Sequence, residues 1–164
     1  MTTGARRLPL AGGTAAAVVV LDQLTKAWAL RALDDGPIDL FWTLRLNLSI
    51  NSGIAFGLGR GLGPVVVLGA VVVMAVLLVA ARSAVTTNVM AVAAGLVLGG
   101  AMGNVVDRLF RDLGGVVDFI DLQWWPIFNV ADMGISVGAV MLVLWGRGRE
   151  PEPEQAPATG EAAP

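Results

Sequence analysis

The chain of 164 residues is 55% hydrophobic and 15% charged, with a mean hydropathy of +0.73 and a formal net charge of −2. This composition excludes an ordinary soluble domain and predicts a polytopic membrane protein, and no basic cluster indicates a nucleic-acid partner. The sequence has neither histidine nor cysteine, which excludes Ser-His-Asp and Cys-His catalysis, disulfides and His- or Cys-ligated metals. Acid–base chemistry is therefore left to carboxylates, Lys26 and bound water.

The first predicted span follows a short polar start at residues 1–7. Residues 8–30 are long enough to cross a hydrocarbon core, which needs roughly 20 residues. The same run fits a cleaved signal peptide, but the helical pattern continues to Leu33 without a small-residue cleavage site, so we predict a retained span. Asp22 and Lys26 share one face of this helix. They form either an intrahelical ion pair or a brace directed at other helices, and we favour the brace because a lipid-facing pair is costly.

Residues 31–62 are predicted to leave the membrane. Between residues 40 and 50, apolar and polar side chains alternate except at Phe41. This period of two predicts one strand on the membrane surface, with Trp42 as an interfacial anchor. The chain then turns back towards the bilayer. Simple turn chemistry and contact with a substrate are both open for Asn51 at this turn.

Two further spans follow, at residues 63–81 and 89–110. The earlier of the two contains no charged residue. The later one carries Gly95, Gly99 and Gly103 at a spacing of four, which predicts close packing against another helix.

A polar cluster is predicted at the end of the 89–110 span, where Asn104, Asp107 and Arg108 fall on one side of the helix. A helix-end ion pair at the membrane surface is the ordinary interpretation of these charges. Residues 111–126 are predicted to be an extracytoplasmic loop.

The last predicted span covers residues 127–145 and carries Asn129 and Asp132 in its first turns. Asp132 would lie about five residues, or roughly 8 Å, into the helix. Residues 146–164 are rich in proline and glutamate and are predicted to be a disordered cytoplasmic tail. With four spans, the polar residues of the first, third and fourth fall towards one leaflet, where we expect a single polar pocket.

Carboxylates dominate this pocket, since five of the nine aspartates lie within residues 103–132. Two carboxyl groups facing one water support aspartic proteolysis, with the ionised member as general base and the protonated member bonded to the scissile carbonyl. The residues alone leave the partner of Asp132 open among Asp118, Asp121, Asp112 and Asp107. For Asp118 and Asp121, the ordinary interpretation is a solvated loop aspartate.

The chain contains five motifs, in the order DQLTK (22–26), NSGIAF (51–56), GNVVDR (103–108), VVDF (116–119) and FNVAD (128–132). Together and in this order, they resemble the motifs of lipoprotein signal peptidase, also called signal peptidase II. The resemblance extends over residues 8–145. It implies an all-α polytopic membrane protein with four transmembrane helices and a small extracytoplasmic β-strand cradle.

The resemblance also implies roles for individual residues. It implies that Asp118 and Asp132 are the catalytic pair. Substrate-binding roles are implied for Asn51, Gly53, Asn104, Arg108 and Asn129. Structural polar roles are implied for Asp22, Lys26 and Asp107.

The implied activity is that of an aspartic endopeptidase that removes signal peptides from bacterial prolipoproteins. It cuts just before the diacylglyceryl-modified cysteine and uses neither metal nor cofactor. The expected partners are prolipoproteins, membrane lipids and globomycin-type inhibitors, and we expect a monomer in the cytoplasmic membrane with cytoplasmic termini and an extracytoplasmic active site. Two other classes use similar carboxylates, namely a small transporter or proton-relay subunit and a scaffold whose buried charges merely pair.

Overall fold

The computed structural model describes residues 7–52 and 87–146. Within these two ranges, the chain forms three α-helices and one antiparallel sheet of three strands in the order β1-β2-β3. The helices are α1 (Arg7–Ala32), α2 (Asn88–Phe110) and α3 (Val130–Gly146), and the strands are β1 (Ile38–Phe41), β2 (Leu44–Asn51) and β3 (Val116–Asp121). The span predicted at 63–81 and Gly53 lie outside the described residues.

The helices α1 and α2 match the spans predicted at 8–30 and 89–110. With 26 and 23 residues, both are long and apolar enough to cross a membrane, and α3 is a shorter apolar helix. The last span is predicted to start at about residue 127, whereas the helix α3 begins at Val130. The backbone of Phe128 forms a β-bridge to Ile120, with nitrogen-to-oxygen distances of 2.9 and 3.1 Å. The helix therefore cannot begin before this bridge ends.

The single strand predicted over residues 40–50 is also wrong, because this segment folds as a hairpin. β1 and β2 pair in antiparallel fashion on either side of Trp42 and Thr43. Trp42 has a φ of 49°, a left-handed conformation that is uncommon for a bulky side chain, and it is 91% exposed. The turn is two residues long, so the apolar–polar alternation continues through it and gives no sign of the break.

β3 lies within the segment predicted to be a loop at residues 111–126. It pairs with β2, with Ser49 opposite Asp118 and Arg45 opposite Asp121. The two aspartates are 2% and 3% exposed, respectively. The ordinary interpretation of both as solvated loop residues is therefore wrong. The sequence VVDFID lacks a clear period of two because Asp118 and Asp121 interrupt its apolar run, which is why periodicity did not indicate a strand.

The predicted glycine spacing of α2 corresponds to a close contact with α1. A Cβ atom built on Gly95 would lie 2.5 Å from the carbonyl oxygen of Ala11, and one on Gly99 would lie 2.6 Å from that of Ala15. Only glycine allows two helix backbones to approach this closely. α2 packs against α3 as well as α1, which brings the end of α2 and the start of α3 beside the second half of α1.

The sheet is anchored to the end of α1 by a small apolar core. Phe119 of β3 packs with the buried side chains of Ala29 and Leu33. Its ring also meets Trp28 edge to face, with centroids 6.4 Å apart. β3 is thereby held against the helices at the level where the polar residues of α1 and α2 lie.

Candidate active site

A reciprocal cap starts α3. The Asn129 Oδ1 atom accepts a hydrogen bond from the Asp132 backbone N–H at 3.0 Å, and Asp132 Oδ2 accepts one from the Asn129 N–H at 3.2 Å. This is the arrangement of a capping box, here built from asparagine and aspartate. Asn129 therefore precedes the helix, and Asp132 is its third residue rather than about the fifth. The carboxylate of Asp132 lies at the positive end of the helix dipole.

Asp118 reaches the same asparagine from β3. Its Oδ1 accepts a hydrogen bond from Asn129 Nδ2 at 2.6 Å, and its Oδ2 accepts one from Asn51 Nδ2 at 3.0 Å. Asn104 of α2 donates to Asp132 Oδ1 at 2.9 Å and accepts from Asn129 Nδ2 at 3.2 Å. One residue, Asn129, thus donates to both carboxyl groups, and a second asparagine supports it.

The Asp22–Lys26 brace lies beneath this network. Lys26 is fully buried, and its Nζ atom lies 2.9 Å from each of three oxygens, on Asp22, Asp107 and Asn104. An ammonium group has three donors, so these contacts satisfy it completely. The first of them is the intrahelical pair and the other two connect α1 to α2, so both sequence interpretations describe part of the arrangement.

Asp22 also connects α1 to α3. Its Oδ1 accepts a hydrogen bond from the Ala131 N–H at 3.0 Å, which is one of the free donors of the first turn of α3. A Cβ atom at Gly103 would lie 2.5 Å from Asp22 Oδ2. The last glycine of the α2 series therefore makes room for this carboxylate.

Within residues 7–52 and 87–146, four groups donate hydrogen bonds to Asp107, and Arg108 is not one of them. The partners of Asp107 include Arg111 Nε at 2.8 Å and Val117 N–H at 3.0 Å, besides Lys26 and Gln23. Arg108 donates to the backbone oxygen of Asn104 at 3.3 Å. A helix-end ion pair therefore exists, as the ordinary interpretation predicted, but its cation is Arg111.

Sequence reasoning missed Gln23 and Arg111. Gln23 Nε2 donates to Asp107 Oδ1 at 3.0 Å, and Gln23 Oε1 accepts from Arg111 Nη2 at 3.1 Å. The spacing of four between Asp107 and Arg111 was a visible signal for their pairing. Nothing local indicated the direction of Gln23, because its contacts depend on how α1 and α2 pack.

Electrostatics separates the candidate partners of Asp132. Burial raises the pKa of Asp118 above its ordinary value; hydrogen bonds from Asn51 and Asn129 oppose this, and the negative charge of Asp132 adds to it. A hydrogen bond from Arg45 lowers the pKa of Asp121. Of Asp118 and Asp121, Asp118 is therefore the one that keeps its proton to higher pH, as the acid member of a carboxyl pair must.

An apolar groove of about 440 Å³ opens beside Asp132. The segment after β3 and the first two turns of α3 line it. Its other lining residues are Leu122, Trp124, Trp125, Phe128, Met133, Ser136 and Val137. The carboxylate is the one charged group among them, so the groove presents an apolar surface that ends at a carboxylate.

Comparison with known proteins gives the family. The family model described as Signal peptidase (SPase) II matches residues 14–146. The chain belongs to the signal peptidase II family. The lipoprotein signal peptidase of Mycobacterium avium is 42% identical over 145 residues, which cover 85% of this chain and 79% of that protein. The lipoprotein signal peptidase of Syntrophomonas wolfei is 37% identical over 135 residues, which cover 77% of this chain and 85% of that protein.

A solved structure supports the same assignment. A bacterial membrane enzyme determined at 2.3 Å resolution matches with a TM-score of 0.72 and 26% identity, covering 86% of this chain and 92% of that one. The predicted family and the predicted enzyme class, a peptide-bond hydrolase, are confirmed. Membership in a peptidase family decides against the transporter and scaffold alternatives.

Proposed function

We propose that Asp118 and Asp132 are the catalytic pair with which this signal peptidase removes the signal peptides of prolipoproteins. The cut falls just before the diacylglyceryl-modified cysteine. The observation that carries the proposal is the position of Asn129, which donates hydrogen bonds to both carboxyl groups. One carboxyl group lies on a strand and the other in the first turn of a helix, so the pair forms only in the folded protein.

The two carboxyl groups have different roles. Asp118, whose pKa is raised by burial, is assigned the protonated role: it hydrogen-bonds the oxygen of the scissile carbonyl and passes its proton to that oxygen as the tetrahedral intermediate forms. Asp132, at the positive end of α3, takes a proton from water as the water oxygen bonds to the carbonyl carbon. The proton on Asp132 then passes to the leaving nitrogen as the carbon–nitrogen bond breaks, and Asp118 recovers its own proton from the tetrahedral intermediate. No other reactant is needed.

Substrate recognition is assigned to the groove and to the polar residues around the pair. The groove beside Asp132 suits the acyl chains of the diacylglyceryl group, because its other lining is almost wholly apolar. Arg108 is half-buried, and its one hydrogen bond among the described residues goes to the Asn104 backbone, so most of its donors can serve a substrate. Asn104 and Asn129 act by orienting the carboxyl groups, and Asn51 orients Asp118 from β2.

The finer membrane arrangement is part of the proposal. We assign four spans, formed by α1, residues 63–81, α2 and α3, with cytoplasmic termini and the catalytic pair towards the extracytoplasmic face of the inner membrane. The outward faces of α1 and α3 expose large apolar side chains, as lipid contact requires. These include Leu21, Leu24, Val137, Val140 and Leu144. A monomer and inhibition by globomycin-type compounds complete the proposal.

The substrate assignment is tested with the purified full-length protein in detergent. We expect cleavage of a diacylglyceryl prolipoprotein to a product that begins at the modified cysteine. An unmodified precursor should be cut at least roughly 100-fold more slowly, since it cannot fill the apolar groove. Gel mobility and mass spectrometry of the product measure both rates. Equal cleavage of the two precursors would contradict recognition of the lipid, and cleavage of neither would contradict the activity.

The pH dependence of kcat/KM tests the protonation of Asp118. Because the protonated form is the active one, kcat/KM should fall as pH rises through its raised pKa. The Asn51 amide stabilises the charged form, so Asn51→Ala should move this descending limb to higher pH. The charged groups that act on Asp118 from the helices, Asp132 of α3 and Lys26 of α1, are unchanged by the substitution.

A matched control for this measurement is Asn88→Ala, which removes an exposed amide at the start of α2. This variant should keep the wild-type limb. A limb that stays in place in Asn51→Ala, or moves to lower pH, would mean that Asp118 does not set the descending limb.

A further inference from the structure

Asp121 is a buried carboxylate that the proposed chemistry does not use. It lies at the end of β3, and its Oδ2 accepts from Arg45 Nε at 2.8 Å and from Asn47 Nδ2 at 3.2 Å. Its Oδ1 accepts from the Gln123 backbone N–H at 2.7 Å. Burying a charge is costly unless it is paired and hydrogen-bonded, and here every contact ties β3 to β2 or to the turn after β3.

Asp121 and Asp118 are three residues apart on one strand, so their side chains point to opposite faces of the sheet. Their partners on β2, Arg45 and Asn51, are six residues apart. In a regular strand, residues separated by six lie on the same face. β2 could not serve both aspartates if it were regular.

An irregularity in β2 resolves this conflict. Leu46 is paired with Ile120 and Ser49 with Asp118, so three steps along β2 match two steps along β3. The extra residue is a β-bulge, which reverses the alternation of side chains beyond it. Arg45 therefore faces Asp121 on one side of the sheet, while Asn51 faces Asp118 on the other.

A strand that carries a bulge needs something to fix its register, because a slip by one residue moves every side chain to the other face. Arg45 is the direct cross-strand neighbour of Asp121, and their ion pair lies on the far side of the bulge from Asn51. Gln123 adds a second tie, with its Nε2 donating to the Thr43 backbone oxygen in the hairpin turn at 3.1 Å. These contacts hold the hairpin against β3.

We propose that the Asp121–Arg45 pair is a positioning clamp that fixes the register of β2 on β3 and so holds Asn51 against Asp118. The clamp rests on the proposed function, since it acts through a catalytic carboxyl group. Asp121 and Arg45 touch neither substrate nor water in the reaction; their effect on the rate passes through Asn51.

The test uses the purified full-length protein and the diacylglyceryl prolipoprotein. Asp121→Asn and Arg45→Gln should each lower kcat roughly ten- to a hundredfold, because small displacements of a catalytic group are costly, while KM stays within about twofold. The double variant should lose no more than the worse single variant, because both remove the same contact. Arg45→Lys, which retains the cation, should recover most of the lost rate.

A second readout follows the action on Asn51. Loosening Asn51 removes a donor from Asp118, so Asp121→Asn should move the alkaline limb of kcat/KM to higher pH, in the same direction as Asn51→Ala. Asp132 and Lys26 face Asp118 from the helices in all of these variants. The matched control is Asp39→Asn, which removes an exposed carboxylate opposite Arg45 on β1 and should change neither kcat nor the limb.

The outcomes separate the clamp from the activity itself. A rise in KM at unchanged kcat would overturn the clamp and make the hairpin a substrate-docking element, and an unchanged kcat and KM would overturn it as well. Failure of the wild-type protein to cut the prolipoprotein would contradict the proposed function instead. Arg45 is partly exposed, so Arg45→Gln keeps the clamp testable if Asp121→Asn does not fold.

Discussion

Asp118→Asn and Asp132→Asn are each expected to lower the rate of prolipoprotein cleavage by roughly 10² to 10⁴-fold, the usual contribution of a general acid or base. Asparagine retains an oxygen acceptor for the network around Asn129 but can neither hold nor take the transferred proton. Both variants should reach normal abundance in the membrane. The rates are measured by gel mobility of a diacylglyceryl prolipoprotein with each purified protein in detergent. The double variant should be no slower than the single ones, because the two groups act as a unit.

The control for these variants is Asp112→Asn, which makes the same change at an exposed position between α2 and β3. Asp112 has a φ of 36°, a conformation that asparagine also tolerates, so the control should keep full activity. Continued cleavage by the Asp118 or Asp132 variant would remove that residue from the pair. Loss of cleavage in Asp121→Asn, together with an active Asp118→Asn, would make Asp121 the partner of Asp132 instead.

Thermal unfolding distinguishes lost chemistry from lost structure in these variants. Burial raises the pKa of Asp118, so its contribution to stability is greatest when the carboxyl group is protonated and falls as pH rises through the raised pKa. A neutral asparagine has no such dependence. Above that pKa, Asp118→Asn should therefore unfold at a temperature equal to or higher than that of the wild-type protein.

Length and hydropathy were enough to predict α1 and α2, because long apolar runs have few alternatives to a spanning helix. The elements that depend on partners far along the chain were not predictable in the same way. β3 is a strand because β2 lies beside it, and α3 starts late because Phe128 is bridged to Ile120. Local pattern contains no information on either contact.

The candidate site divides in the same way. The spacing of Asp22 and Lys26 showed that they share a helix face, and the cost of exposing such a pair to lipid favoured a brace directed at other helices. The choice between Asp118 and Asp121 depends on which face of β3 each occupies and on a bulge in β2 that reverses the alternation. Periodicity cannot detect a bulge in a strand whose partner is unknown, so only the family resemblance named Asp118.

Lys26→Met is expected to destabilise the fold by about 3–5 kcal/mol, the usual effect of removing one member of a buried ion pair. The Nζ atom of Lys26 contacts two carboxylates and Asn104 within 2.9 Å, and the side chain is fully buried. Methionine fills a similar volume, so the loss reflects charge rather than packing. Thermal unfolding in detergent and abundance in the membrane are the measurements. Arg31→Met, an exposed cation in the last turn of the same helix, is the matched control and should change stability little.

Asp22 and Asp107, the two carboxylates that contact Lys26, should respond differently to its loss. Asp107 keeps Arg111 as a cation, whereas Lys26 is the one cation in contact with Asp22 among the described residues. Adding Asp22→Asn to Lys26→Met should therefore restore more stability than adding Asp107→Asn, and equal recovery would contradict this difference between the two carboxylates.

Loss of Lys26 should also affect the start of α3. Because Asp22 Oδ1 accepts a hydrogen bond from the N–H of Ala131 beside Asp132, an unpaired charge on Asp22 disturbs the first turn of this helix. Cleavage by Lys26→Met should fall even below its unfolding temperature, since the brace that stabilises the helices also positions the proposed catalytic pair.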